Sequence, residues 1–318
     1  MPGIEVAATT SERRPRVGLA LGAGAARGLA HLGVLAELEA LGIRPDAVAG
    51  ASIGAMVAVS YAAGRLAHLE QAARGTTWLQ IARLVDLGVH GGLINADRLH
   101  AFLEDVLGDA ALEALDPPVT VVAADMVTGR EVWLSRGPVI DAVSASIAMP
   151  GLFPPVNLHR RWLVDGAVVN PLPVSAVRAM NVDVILAVNL SGPLWRVPAR
   201  ELQPRGEQAP PSPLGWLAAL GRRRQGEVRV EPMRTLRDPA ETPATPPGFV
   251  DVVGQSITVM QDIVARMRLA GDPADVLLAP EVRHVGLFEF HRADTLIAAG
   301  RHAVRTEADR LRDLCAVD

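Results

Sequence analysis

Five residues constrain this chain more than any others: Gly50-Ala51-Ser52-Ile53-Gly54. Asp46-Ala47-Val48-Ala49 just before them reads as a short strand, and Ile53–Ala63 just after reads as a helix. A serine on a sharp strand-to-helix turn is the arrangement called a nucleophile elbow. Such a turn forces the serine into a strained backbone conformation. Side chains two positions to either side would then collide, which accounts for glycine at 50 and 54. The hydroxyl is left at a helix N-terminus, where the dipole favours the anion that develops during acyl transfer. For the pentapeptide alone, the competing reading is a tight turn with serine as an ordinary helix N-cap.

The flanking sequence repeats the strand-then-helix order. Val17–Leu21 reads as a buried first strand, 22–28 as a glycine-bearing loop, and Leu29–Leu41 as a helix with Leu32, Leu35, Leu38 and Leu41 on one side. Residues 65–107 look helical in pieces, interrupted at Gly88–Gly92, with Asn95 or Asp97 as a cap. Further strands are expected at 119–124, 131–134, 162–164, 184–188 and 275–279, and further helices at 138–148, from Pro173, at 254–269 and over 291–314. Alternation of this kind implies an α/β fold with a mostly parallel central sheet flanked by helices. Residues 1–14 read as a disordered tail. Residues 191–249 are rich in proline and charge and read as a flexible insertion or lid, so that 15–190 and 250–318 form one domain. Within the insertion, Leu214–Leu220 followed by Arg222-Arg223-Arg224 suits contact with an anionic membrane or covering of the site. A loosely packed surface helix is the plainer reading.

Composition excludes several chemistries. All 31 basic residues are arginine, so a lysine Schiff base, a Walker A lysine and a Ser-Lys dyad are ruled out. One cysteine, Cys315, rules out an internal disulfide and suits a reducing, cytoplasmic compartment. The histidines are dispersed, no H-E-x-x-H, C-x-x-C or Asp-rich calcium loop appears, and no metal or cofactor is expected. A net charge of -4 carries no nucleic-acid signature. Arg13–Ala25 has the look of a signal peptide, but Arg27 and His31 interrupt the apolar run, and no stretch is long enough to span a membrane.

Acyl transfer from serine also needs a base and oxyanion donors. The 22–28 loop can offer backbone N–H groups ahead of a helix N-terminus. The spacing Gly22-x-Gly24-x-x-x-Gly28 also suggests a dinucleotide loop, yet strand 46–50 ends in Gly50-Ala51-Ser52 where an acidic ribose ligand would stand. Among histidines, His159 and His284 lie near strands and are the triad candidates, while His31 sits inside the first helix and reads as packing. Asp165 ends a strand and precedes Gly166-Ala167; it is either a base or an Asx-turn residue. Ser146 is the rival nucleophile and Asp125 the rival base, although Asp125 fits a turn better.

These segments together resemble the patatin-like phospholipase family over most of the chain outside the tail and the insertion. The likeness rests on Gly22–Gly28 with Arg27, on Gly50–Gly54, on Ala145-Ser-Ile-Ala-Met-Pro-Gly-Leu-Phe-Pro-Pro-Val156, and on Asp165-Gly166-Ala167, in that order. Ala23 and Ala25 stand where the family often has glycine. The resemblance implies a three-layer sandwich and a Ser–Asp dyad without histidine: Ser52 as nucleophile and Asp165 as base. The oxyanion would be held by the loop Gly22, Ala23, Gly24, Ala25, Arg27 and Gly28, with the Ile53 N–H. Arg27 would steady that loop or attract phosphate; a surface ion pair is the other reading. An ordinary aspartate is a weak base for a hydroxyl, so burial must raise its proton affinity. The implied activity is hydrolysis of lipid acyl esters, with a lipid as substrate; the expectation of peripheral membrane contact comes from Leu214–Arg224. The alternative is a non-enzymatic adaptor that binds lipid or protein through 191–249.

Overall fold

The computed structural model describes residues 13–75, 96–191 and 249–317. The expected tail and insertion lie outside the described residues except at their edges, as do Leu214–Leu220, Arg222–Arg224, His90 and Asn95.

Eight strands form one sheet: β1 (Val17–Leu21), β2 (Ala47–Ala51), β3 (Val119–Asp125), β4 (Glu131–Leu134), β5 (Val156–Leu158), β6 (Arg161–Asp165), β7 (Val184–Val188) and β8 (Val276–Leu278). β1, β2, β3, β7 and β8 run parallel. β4, β5 and β6 pair antiparallel. The helices are α1 (Ala30–Ala40), α2 (Ile53–Ala62), α3 (Leu66–Gly75), α4 (Ala96–Leu107), α5 (Val139–Ser146), α6 (Val174–Arg178), α7 (Phe249–Gly271), α8 (Ala293–Thr306) and α9 (Ala308–Cys315).

Side-chain size sorts these helices onto the two faces of the sheet. Leu19, Leu21, Val48, Leu186 and Val188 point to one face and meet Val34, Leu38, Val57, Leu103, Leu296 and Leu311 of α1, α2, α4, α8 and α9. The alternate positions Ala20, Ala49, Ala51 and Ala187 point the other way, to Val174, Val177 and Ala265 of α6 and α7. Large residues facing the broader helical layer, and mostly alanines with Val122 and Ile185 facing the thinner one, give three layers with the sheet in the middle. α2 is buried on all sides at residues 53–60, so the helix behind the elbow is wholly core. α1 and α8 touch backbone to backbone: a Cβ on Gly33 would sit 1.9 Å from the Ile297 carbonyl, and one on Gly300 would sit 2.0 Å from that of Ala30.

The structure differs from the sequence reading in three places. The expected helix from Leu29 is preceded by a separate 3-10 turn, Ala25–Leu29, which takes in half of the glycine loop. Val156–Leu158 is a strand, because it pairs with β6 as a hairpin. Asp165 ends a strand that enters from the opposite direction to β2, not one more parallel strand. No helix among the described residues is long and apolar enough to cross a membrane.

Candidate active site

Ser52 has φ 57 and ψ -128, a conformation that costs about 1–3 kcal/mol in a non-glycine residue. The surroundings hold it there. Its N–H donates to Ser146 Oγ at 2.9 Å, and the Ser146 hydroxyl donates onward to the Val122 carbonyl at 2.6 Å. The Ser52 carbonyl accepts from Ala55 N–H and starts α2. The two flanking glycines are required by close approach: a Cβ on Gly50 would stand 2.3 Å from the Gly54 carbonyl oxygen, and one on Gly54 would stand 2.2 Å from that of Leu21.

Sheet register brings the carboxylate to the serine. Val122 pairs with Ala51 on one side and with Trp133 on the other. Ala123 pairs with Asp165 on one side and with Val132 on the other. β2 and β6 therefore share one edge of β3. β2 climbs that edge and stops at Val122; β6 descends it and stops at Ala123. Ser52 and Asp165 meet where the two strand ends come together, 113 residues apart in sequence.

Ser52 Oγ donates to Asp165 Oδ2 at 2.6 Å. Asp165 Oδ1 accepts from Ala167 N–H at 2.8 Å, so the D-G-A turn orients the carboxylate. Ser52 is 6% exposed and Asp165 2%. Burial raises the Asp165 carboxyl to about 6, against the downward pull of its bonds from Ser52 and Ala167. It is a stronger base than an exposed aspartate and is ionised at neutral pH. Gly166 lies against the Val122 carbonyl.

Fewer N–H groups of the glycine loop are open than its sequence suggests. Gly22 N–H is spent on the Val188 carbonyl, Ala23 N–H on that of Pro171, Ala26 N–H on that of Leu287 and Arg27 N–H on that of Gly24. The backbone N–H groups of Gly22, Ala23 and Arg27 are thus not free for an oxyanion, contrary to the expectation for the whole loop. Gly24 and Ala25 N–H, with Ile53 N–H at the start of α2, donate to no protein acceptor among the described residues. Ala25 reaches this arrangement with φ 49, in the left-handed region. Gly28 packs against the Ile53 side chain.

Arg27 forms neither a surface ion pair nor an open anion contact. It is 7% exposed; its Nε donates to the Val285 carbonyl at 2.7 Å and its Nη2 to that of Arg283 at 3.4 Å. Burial, then the nearby Arg283 charge, lowers its pKa to about 10. His31, read from sequence as packing, is fully buried, and its Nε2 donates to the Gly22 carbonyl at 2.8 Å. Burial lowers its pKa to about 4, so it is neutral. With Ala23 N–H held by Pro171, the Gly22–Ala23 peptide is gripped at both ends.

The rival residues fall elsewhere. Ser146 is fully buried and engaged with the elbow backbone. Asp125 accepts from Val127 and Thr128 N–H in an Asx turn, and these bonds lower its pKa. His159 sits exposed on the β5–β6 turn, at the end of β6 remote from Asp165, and His284 is exposed on a loop. Among the described residues no histidine bonds to Ser52 or Asp165, and no group of three or more His, Cys, Asp or Glu could hold a metal ion.

Comparison with known proteins places this geometry. Residues 19–178 match the family model described as patatin-like phospholipase. An uncharacterized NTE family protein of Mycobacterium tuberculosis is 33% identical, the match covering 97% of this chain and 95% of that one. The lysophospholipase NTE1 of Pyricularia oryzae is 26% identical over 93% of this chain but only 19% of its own length. The solved structure of VipD from Legionella pneumophila superposes with a TM-score of 0.50 at 12% identity, covering 93% of this chain and 67% of that one, which shows a shared fold. On the matched half of its length and its near full-length relative, this chain belongs to the patatin-like phospholipase family.

Proposed function

We propose that the protein is a serine hydrolase that cleaves acyl esters of lipids, of the phospholipase A or lysophospholipase type, through a Ser52–Asp165 dyad. The observation that carries this reading is the 2.6 Å bond from Ser52 Oγ to a buried, proton-avid carboxylate on a strained elbow. The name lysophospholipase on a relative supports the substrate class.

Ser52 Oγ attacks the ester carbonyl carbon as its proton passes to Asp165 Oδ2. The oxyanion sits against the N–H groups of Gly24, Ala25 and Ile53; each such donor is typically worth about 10²–10³ in rate. Collapse breaks the bond to the leaving oxygen, which takes the proton from Asp165, and leaves acyl-Ser52. Water then attacks the acyl carbon and gives its proton to Asp165. That proton returns to Ser52 Oγ as the fatty acid departs.

A fluorophosphonate probe and a panel of lysophospholipids, phospholipids and soluble esters test this. The probe should label Ser52, labelling should vanish in Ser52→Ala, and at least one lysophospholipid should be hydrolysed. Folded protein that is neither labelled nor active would refute the reading in favour of a binding adaptor.

A further inference from the structure

Ser52 and Asp165 are both buried, so a lipid reaching them passes the surface standing over the dyad. Two loop tips rise there. Along one edge of β3, β6 extends away from Asp165 toward the β5–β6 turn at His159 and Arg160, with Trp162 three residues, or about 10 Å, beyond the carboxylate. β3 continues past Ala123 to Asp125 and the turn Met126–Gly129. The tips adjoin: Met126 N–H donates to the Trp162 carbonyl at 2.9 Å.

These tips are apolar and cationic. Val127 is 77% exposed, Met126 54% and Trp162 46%. Arg130, Arg160 and Arg161 are exposed beside them. The acids at the tips are occupied. Asp125 binds two backbone N–H groups and faces Arg161 at 3.5 Å, and Glu131 binds Arg268 and Asn170. Exposed aliphatic side chains, an exposed tryptophan, and Arg130 and Arg160, which have no ion pair among the described residues, complement an anionic headgroup layer over a hydrocarbon interior.

We propose that the Met126–Gly129 turn and the β5–β6 tip dock the protein on an anionic lipid bilayer and present the Ser52–Asp165 site to it. The proposal rests on the lipid-hydrolase reading, and its test separates the two. Full-length Ser52→Ala protein, which cannot degrade the vesicles, is sedimented with phosphatidylcholine vesicles with and without phosphatidylglycerol. It should bind the anionic vesicles and be released by high salt. One cation near such a surface strengthens binding roughly fivefold, so adding Arg160→Glu or Val127→Asp should weaken binding at least that much. With Ser52 restored, both variants should hydrolyse a soluble short-chain ester at the wild-type rate and lose at least fivefold on vesicle-borne substrate. Absence of vesicle binding by the parent, or equal binding by parent and variants, overturns the docking surface, including any result in which the tips instead serve a protein partner. Failure of the wild type on every ester, with vesicle binding intact, would overturn the hydrolase reading and leave the surface standing.

Discussion

Replacing Asp165 by asparagine removes a buried charge and keeps the side chain's shape, so its effect on stability can be worked out from proton affinity. The carboxyl holds its proton to about pH 6 when folded, against an ordinary 3.8. Between those values the folded chain binds more protons than the unfolded chain, so this group's contribution falls as pH rises. Above pH 6 the folded state carries a deficit of about 3 kcal/mol, roughly two pK units. His31 acts in the opposite sense. Burial lowers it from 6.5 to about 4, so the unfolded chain takes up the proton first, and stability falls by about 3 kcal/mol as pH drops through that window. In the wild type the two slopes oppose each other between pH 4 and 6; in Asp165→Asn only the histidine slope remains. Because His31 is common to both proteins, the difference between them isolates Asp165. The variant should gain about 2–3 kcal/mol over wild type between pH 4 and pH 8. Urea unfolding at pH 4, 6 and 8 measures this as a widening gap in midpoints at constant slope. Turnover should meanwhile fall about 10²–10⁴-fold, the usual worth of a general base. A gap that does not change with pH, or an asparagine variant that still turns over, would refute the reasoning.

Other expectations follow from single contacts. Ser146→Ala leaves the buried Ser52 N–H without an acceptor; it should cost about 1–3 kcal/mol in unfolding and lower kcat more than it changes KM. Gly54→Ala drives a methyl into the Leu21 carbonyl and should destabilise by about 1–3 kcal/mol, with loss of turnover, in thermal melts and ester assays. Ala25→Gly relieves a left-handed alanine, worth about 1–2 kcal/mol, against about 0.5–1 kcal/mol of added chain entropy. It should melt slightly higher and retain its kcat. Alanine at His68, His100, His159, His284, His291 or His302 should leave soluble-ester turnover within about twofold; one essential histidine among them would overturn the two-residue mechanism.

What the sequence disclosed depended on the range of the interaction. Val17–Leu21 and Val184–Val188 are short apolar runs with polar or glycine borders, and buried parallel strands need nothing more. The elbow is local only in part: Gly50 is needed by Gly54 close by in the chain, whereas Gly54 is needed by the carbonyl of Leu21 on β1. Asp165 could be named from its motif, but its route to Ser52 depends on which edge of β3 two strands share. Nothing in the local pattern of β6 encodes its direction. Ser146 looked like a competing nucleophile because its partners, Ser52 and Val122, are 94 and 24 residues away. The engaged N–H groups of Gly22, Ala23 and Ala26 were hidden for the same reason: their acceptors are Val188, Pro171 and Leu287.

The ties of Ala26 and Arg27 to the backbone at 283–287, and the interlocked glycines of α1 and α8, have a practical meaning for anyone trimming this protein. Every recognisable signature lies within residues 19–178, yet the floor beneath the turn before α1 is supplied from far downstream. A fragment cut to the signatures would look complete in an alignment and would lack the backbone that Ala26 and Arg27 are tied to. The carboxy-terminal helices are part of the working unit.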